Sequence, residues 1–465
     1  MRVVLAVLVA AQISAATATS RAAPSAAFVI ASDYAGSGCL SVVDLATRSV
    51  SRCVTPVSSD ACVRSFGGLV YVVNRFGQDN IQVVDPARGY ATVRQFSTGN
   101  GSNPQDIAFA SATKAYVSCL ASASLLVVDP STGAGLGSIS LAEYADRDGL
   151  QEAARMRCVG NRLFVALQRL AQFLPTDSSL VAVIDTDADT VIDCDPARPG
   201  RQAILLMGTN PVTTFEYDTT SRRLLLGCLG HYGVADGGIE WIDPKGLTAG
   251  GWAVTEDSLG GDVLDFAWNG PDHSYAIVGD ASGSTSLVSW SAAGGHRIAT
   301  IHASGGFAPG GFSLARCALD ERGELFVCQS LITSPGLFVF STANDSLLAG
   351  PLDTRLPPID VTFGTPAGGT TNPSRASFAA PWPNPARGTL SCSILLDGDD
   401  DVRIQAFDLA GRQVRLVASG RVAGTARTFT WDLKDDRGKR VENGIYLIRA
   451  QIGKRSWTYR VAAIR

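Results

Sequence analysis

Val70-Tyr71-Val72-Val73-Asn74, followed after a short loop by Ile81-Gln82-Val83-Val84-Asp85-Pro86, is the phrase on which the fold turns. Two β-branched runs separated by polar residues read as a pair of strands, and the closing Asp-Pro reads as a turn. The phrase recurs. Copies stand at Phe28-Val29-Ile30 with Ser41-Val42-Val43-Asp44, at Ala115-Tyr116-Val117 with Leu126-Val127-Val128-Asp129-Pro130, and at Leu163-Phe164-Val165 with Val181-Ala182-Val183-Ile184-Asp185. Another is Leu224-Leu225-Leu226 with Ile239-Glu240-Trp241-Ile242-Asp243-Pro244, and weaker ones run through Tyr275 to Ser291 and Leu325 to Ser341, which makes seven. A third run and an Asn-Pro or Gly-Gly opening to a fourth lie between copies, as at Asn103-Pro104 and Asn210-Pro211. Four strands per repeat, over 338 residues from 27 to 364, give about 48 residues each, the signature of propeller blades that hide their apolar faces only against one another. The expectation is an all-β chain: a seven-bladed β-propeller followed by a small Ig-like β-sandwich.

The repeat resembles the Tyr-Val-Thr-Asn (YVTN) propeller repeats of prokaryotic surface proteins, most closely at Tyr71-Val72-Val73-Asn74. The terminal Asp is read as a turn residue that bonds its own backbone and is assigned no chemistry. The mature chain starts in a second strand at Phe28, so the run Pro358-Ile359-Asp360-Val361-Thr362-Phe363 is expected to supply the missing inner strand of the first blade.

Residues 365–374 are rich in Gly, Thr and Pro and read as a linker. Beyond it, alternating runs at Leu390-Cys392-Ile394, Val402-Ile404-Ala406, Val414-Leu416, Phe429-Trp431, Tyr446-Ile448-Ala450 and Trp457-Tyr459-Val461 predict a small antiparallel sandwich over 375–465. Pro383-Asn384-Pro385, Phe407-Asp408-Leu409-Ala410-Gly411-Arg412, Trp431-Asp432 and Gly444-Ile445-Tyr446 together resemble the hook-capping (FlgD-like) Ig-like module related to type A sorting domains of type IX secretion. Leu433 departs from the glycine usual after Trp-Asp. The resemblance implies an address or attachment to the secretion machinery, without catalysis, in a module expected to fold alone.

Of 465 residues, 46% are hydrophobic and 18% charged, which excludes a disordered chain. Residues 372–465 carry 16 Lys+Arg against 9 Asp+Glu, leaving 23 against 34 before them, so two units of opposite balance are expected. The basic residues form no stripe interleaved with aromatics, which speaks against nucleic acid. Arg2, the apolar run Val3 to Ala11 and Ala16-Thr17-Ala18 read as a signal peptide over 1–18, and no later run is long enough for a membrane span. Export places the ten cysteines where disulfides persist. Cys39 with Cys53, and Cys317 with Cys328, are candidate pairs across hairpins; small buried hydrophobes are the alternative reading. Cys392 alternates with core residues and is expected to be a buried thiol.

Standard catalytic strings are absent. The acidic run contributes Asp185, Asp187, Asp189 and Asp193 as a candidate Ca2+ site, although Thr190 stands where a calcium loop wants Gly. In the insert 141–157, Asp148 is placed to cap a helix with Gln151 as its partner ahead of residues 152–156. The inserts 141–157, 167–179 and 231–238 are expected to gather on one propeller face, where loops on a rigid scaffold do recognition. Arg147, Arg155, Gln168, Arg169, His231, Tyr232 and Asp236 are therefore the candidate ligand-binding residues. Asp106, Glu216, Asp265 and Asp360, on inner runs, read as too irregular for a catalytic centre. The expected function is an exported, non-catalytic protein that binds a polymer or protein at the cell surface or in the medium. The alternative is a propeller hydrolase or lactonase with a cation in the central channel.

Overall fold

The computed structural model describes residues 23–176, 178–308, 311–365, 377–379, 381–396, 399–422, 426–453 and 455–464. The expected signal peptide, nearly all of the linker, and residues 375–376 lie outside these.

The chain is almost wholly β, with antiparallel four-stranded sheets arranged as a β-propeller. Each is a meander, because short turns can join only adjacent antiparallel strands. The inner strands, taken sheet by sheet, are Pro358–Gly364, Ala61–Phe66, Pro104–Phe109, Ala153–Val159, Glu216–Asp218, Asp262–Ala267 and Leu314–Leu319. The first sheet joins the two ends of the repeat region. Pro358–Gly364 pairs with Ala26–Ser32, Val29 opposite Val361 and Phe28 opposite Thr362, so the expected closure strand is in place.

Turns explain why the repeat ends in Asp. Asp44, Asp85, Asp129, Asp185 and Asp243 each accept a bond from the backbone N–H two residues on, at 2.7–3.0 Å. In several of them the fifth residue bonds back to the carbonyl of the first and takes positive φ: Arg48, Gly133, Asp189 and Leu247. That i to i+4 turn is short enough to hold the two outer strands in register.

Neither face of a sheet meets water in the middle of the ring. Phe28 and Leu40 pack on Val63 and Val72 of the second sheet, and Val73 and Ile81 pack on Ile107 and Val117 of the third. The chain of clusters continues through Tyr116 with Leu163, Phe164 with Phe215, Trp241 with Phe266, and Tyr275 with Leu325. The last cluster sets Phe326 and Val339 against Val29 and Val43, returning to the first sheet. Each fully buried side chain of this kind contributes roughly 1.5–3 kcal/mol, so no sheet is stable without both neighbours.

Two expectations are corrected by pairing. Residues 153–159 are a strand rather than a helix. Asp148 accepts from Leu150 N at 2.9 Å in a local turn, and the pairing of Cys158 with Leu163 and Val159 with Arg162 outweighs the capping pattern. Cys39 and Cys53 are disulfide-bonded, but Cys317 and Cys328 are free thiols. Their register puts Val327 opposite Cys317 and Arg316 opposite Cys328, so one sulfur points to each face of the sheet and they enter different clusters.

The C-terminal residues form two sheets, one containing Leu390–Leu395 and Ala426–Trp431, the other Asp400–Phe407 between Gln413–Val422 and Gly444–Ile452. Cys392, Ile394 and Trp431 face Ile404, Ile448 and Val461 across one core, where Trp431 meets Tyr446 edge-on at 5.6 Å. This sandwich rests on the first two propeller sheets. Trp382 Nε1 donates to Gln78 O, Ser37 Oγ lies 3.3 Å from Thr428 Oγ1, and Arg355 Nη1 donates to Leu396 O at 3.2 Å. These three contacts are hydrogen bonds.

Candidate functional site

The inner strands carry a charge network at the centre of the ring. Asp106 Oδ2 accepts from Met156 N at 3.0 Å, Asp265 Oδ2 from Cys317 N at 2.8 Å, and Asp360 Oδ2 from Val63 N at 2.9 Å. Each aspartate thus ties its strand to the inner strand of the next sheet. Arg64 bridges Asp106 at 2.8 Å and Asp360 at 3.5 Å, while Arg316 bridges Asp265 at 2.9 Å and Asp360 at 3.2 Å. Three of the four carboxylates judged too irregular in sequence therefore act as one unit. Burial opposes the charge of Asp360, but Arg316, Arg64 and Arg155 more than offset it and hold its carboxyl below the ordinary range. At Asp265 burial outweighs Arg316 and pushes the carboxyl up. Glu216 is also pushed up by burial, to about 7, against the pull of Arg157 and Arg316.

Above this network lies a cavity of about 500 Å³, lined by Arg75, Arg155 and Arg316 among polar groups and by Leu229, Leu264 and Phe312 among apolar ones. Its construction follows from β-bulges. The ladder slips between Ala153 and Met156, between Val263 and Asp265, between Leu314 and Arg316, and where Ala31 pairs Pro358 while Ile30 pairs Asp360. The skipped residues include Arg155, Leu264, Ala315 and Ile359, and all four line the cavity. A bulge leaves its extra residue unpaired and re-aims the side chain. Arg155 Nη1 donates to Gln105 O at 3.0 Å and lies 3.6 Å from Cys62 Sγ. Arg75, by contrast, is committed to Asp60 through Nε at 2.8 Å.

The other sequence candidates are spread over the surrounding loops. Arg147 is exposed in the 141–157 insert. Gln168 Nε2 donates to Asn210 Oδ1 at 2.8 Å, and Arg169 Nη1 to Ser178 Oγ at 2.7 Å, so both brace the 167–179 loop. His231 Nδ1 and Asp236 Oδ2 are 2.7 Å apart, and Asp236 Oδ1 also accepts from His231 N at 2.8 Å, closing the 231–238 loop on itself. Gly230, at φ +61, sits so close to Asp236 that a Cβ there would collide with the carboxylate. Tyr232 reaches over the next sheet, donating to Asp280 O and packing 5.3 Å from Phe312. Of the seven candidates, only Arg155 lines the central cavity.

The four candidate calcium ligands do not converge. Asp185 bonds its own turn, Asp187 meets Asn161 Nδ2 at 3.2 Å, Asp189 takes Lys114 Nζ at 3.0 Å, and Asp193 accepts from Gln202 N at 2.9 Å. No cluster of metal-ligating side chains forms among the described residues.

The two ends of the ring differ. The three inserts stand at the end where the cavity opens. There Phe76 is 77% exposed and Phe173 80%, and Leu174, Tyr232, Val234 and Ile332 are also exposed on the loops between the two middle strands of their sheets. At the opposite end, the Asp turns themselves present no exposed large hydrophobic side chain among the described residues, while Leu136 and Leu347 are exposed near the start of outer strands just beyond their turns.

No family model and no curated protein matches the chain. Solved structures resemble it in part. A putative 6-phosphogluconolactonase from Bacteroides fragilis is 13% identical, with 73% of this chain and 97% of that chain covered and a TM-score of 0.49. The Dos1 propeller is 10% identical over 90% and 95%, with a TM-score of 0.47. The dihydro-heme d1 dehydrogenase NirN is 13% identical over 72% of this chain and 65% of its own length, at 0.43. At these scores the fold rests on the sheet topology itself.

Proposed function

We propose that the protein is an exported binding or scaffold protein of the cell surface or medium, built as a seven-bladed propeller with a C-terminal Ig-like module for secretion or attachment. The observation that carries this reading is the asymmetry of the ring. One end gathers the long inserts, the exposed aromatic and aliphatic tips and a half-apolar cavity, whereas the other is closed by polar turns. Exposed apolar groups concentrated on one face mark an interaction surface. A surface polymer or protein is the partner class, the Cys39–Cys53 disulfide suits an oxidising compartment, and the secretion machinery is the partner of the C-terminal module.

The alternative, a hydrolase or lactonase with a channel cation, needs carboxylates with free oxygens. Asp106, Asp265 and Asp360 are each occupied by a guanidinium and a backbone N–H, which disfavours these three as ligands of a hard cation and leaves Glu216 as the remaining inner carboxylate.

The test is binding of the purified protein to envelopes of source cells that lack it. Phe173→Ser with Tyr232→Ser and Ile332→Ser should abolish retention, while substitutions in the opposite turns, such as Arg48→Ser, should not. Equal retention of both variants would refute the reading.

A further inference from the structure

The central cavity contains one guanidinium that acts on Asp360 only at a distance and has no carboxylate within ion-pair reach among the described residues. Arg64 and Arg316 each hold two aspartates, and Arg75 holds Asp60. Arg155 lines the cavity with no carboxylate paired to it among the described residues, and its bonds go to a backbone carbonyl and a thiol, both through Nη1. Nε and Nη2 are not among the buried polar atoms left without a partner. A guanidinium can present such a pair of parallel N–H groups to one planar acceptor. Leu229, Leu264 and Phe312, with Ala315 and Ile359, supply apolar lining to the same cavity, beside the paired Asp60 and Arg75 and the paired Asp360 and Arg316. A guanidinium without a paired carboxylate and hydrocarbon side chains in one cavity select an amphipathic anion.

We propose that this cavity binds a small organic molecule with an oxyanion head, carboxylate or phosphate, seated on Arg155 and an apolar body against Leu264 and Phe312. The volume of about 500 Å³ admits a ring and a short chain. Asp60 and Asp360 line the cavity beside Arg75, Arg155 and Arg316, so the lining keeps a net positive charge that favours an anion over a cation. The inference deepens the recognition reading of this face by naming a ligand class for its central cavity, and rests on that reading only for its biological setting.

The test is ligand-observed NMR with phenylacetate, phenyl phosphate and phenylacetamide at millimolar concentration. Saturable broadening of either anion, with none for the amide, is expected, and whichever anion binds more tightly identifies the head group. Arg155→Gln should weaken binding of that anion tenfold or more. Ala315→Phe, which fills the cavity and leaves the charge intact, should also abolish it. Circular dichroism establishes that both variants are folded. Equal signals for amide and anions, no signal for any, or unchanged binding by folded Arg155→Gln would overturn the proposal. The outer loop tips are not touched by these variants, so envelope retention can succeed where this experiment fails, and the reverse.

Discussion

Asp360→Ala is the substitution that tests the central network most directly. The carboxylate accepts from Val63 N at 2.9 Å and Val361 N at 3.0 Å, and it faces Arg316 at 3.2 Å and Arg64 at 3.5 Å. It also sits on the strand that closes the ring, opposite Ile30. Removing it strands two buried N–H groups, each costing about 1–3 kcal/mol, and removes a shared partner from two guanidinium groups that retain Asp265 and Asp106. Breaking a buried pair costs about 3–5 kcal/mol, and we expect the total to fall in that range because both arginines keep one carboxylate. Asp360→Asn keeps one acceptor oxygen and should cost about half as much. Asp106→Ala, which frees only one arginine, should cost less than Asp360→Ala. Equilibrium chemical denaturation of the full chain gives all three values. A loss below about 1 kcal/mol for Asp360→Ala, or equal losses for Asp360→Ala and Asp360→Asn, would refute the view that charge at this position holds the ring shut.

Thiol titration of the unfolded, unreduced chain should count eight reactive cysteines, since one disulfide forms and eight thiols are free; six would mean that Cys317 and Cys328 are bridged after all. Reducing Cys39–Cys53, whose partners lie 14 residues apart, should lower stability by about 2–4 kcal/mol, measured as a shift in denaturation midpoint on adding reductant. Burial lifts Glu152, Glu216 and Glu256 to about 7 from an ordinary 4.5. Their raised folded values mean that the stability they contribute is complete below pH 4.5 and is lost as pH rises through about 7. The melting temperature should therefore decline between pH 5 and 8, Glu216→Gln should flatten that decline, and a profile identical to wild type would show that Glu216 ionises freely.

The repeat, its Asp turns and the closing strand were legible because each depends on local pattern: a period of two, and an aspartate that bonds its neighbours at Asp44 or Asp129. The site was not, because it is made by register. Whether Arg155 enters the cavity depends on a slip between Ala153 and Met156 relative to Leu167 and Val165, and a slip leaves no mark in composition. The same pairing turned a plausible capped helix at 148–156 into a strand. Asp106, Asp265 and Asp360 looked scattered because their distance from the start of each repeat varies with the preceding loop. A signal did exist in part: Pro104-Gln105-Asp106 and Pro358-Ile359-Asp360 share a Pro-x-Asp opening, in which the middle residue is the one bulged.

The order of charges around the ring explains why Arg155 is left over. Going from sheet to sheet, the inner strands and the residues leading into them offer Asp360, Arg64, Asp106, then Arg155 with Arg157, then Thr213, Thr214 and Glu216, then Asp265 and Arg316. Signs alternate, so Arg64 and Arg316 each lie between two aspartates and bind both. The alternation breaks at the fifth sheet, where burial pushes the Glu216 carboxyl up to about 7. There Thr213 Oγ1 takes Gly227 N at 2.8 Å and Thr214 Oγ1 takes Arg316 Nη2 at 2.9 Å. Arg155 stands beside the break, with Asp106 already given to Arg64 and Met156 N on one side, and on the other two hydroxyls and Glu216, whose buried carboxyl resists ionisation. An aspartate in place of Thr214 would supply the missing partner. Thr214→Asp should therefore pair with Arg155 or Arg316, stay folded, and weaken anion binding in the cavity as strongly as Arg155→Gln.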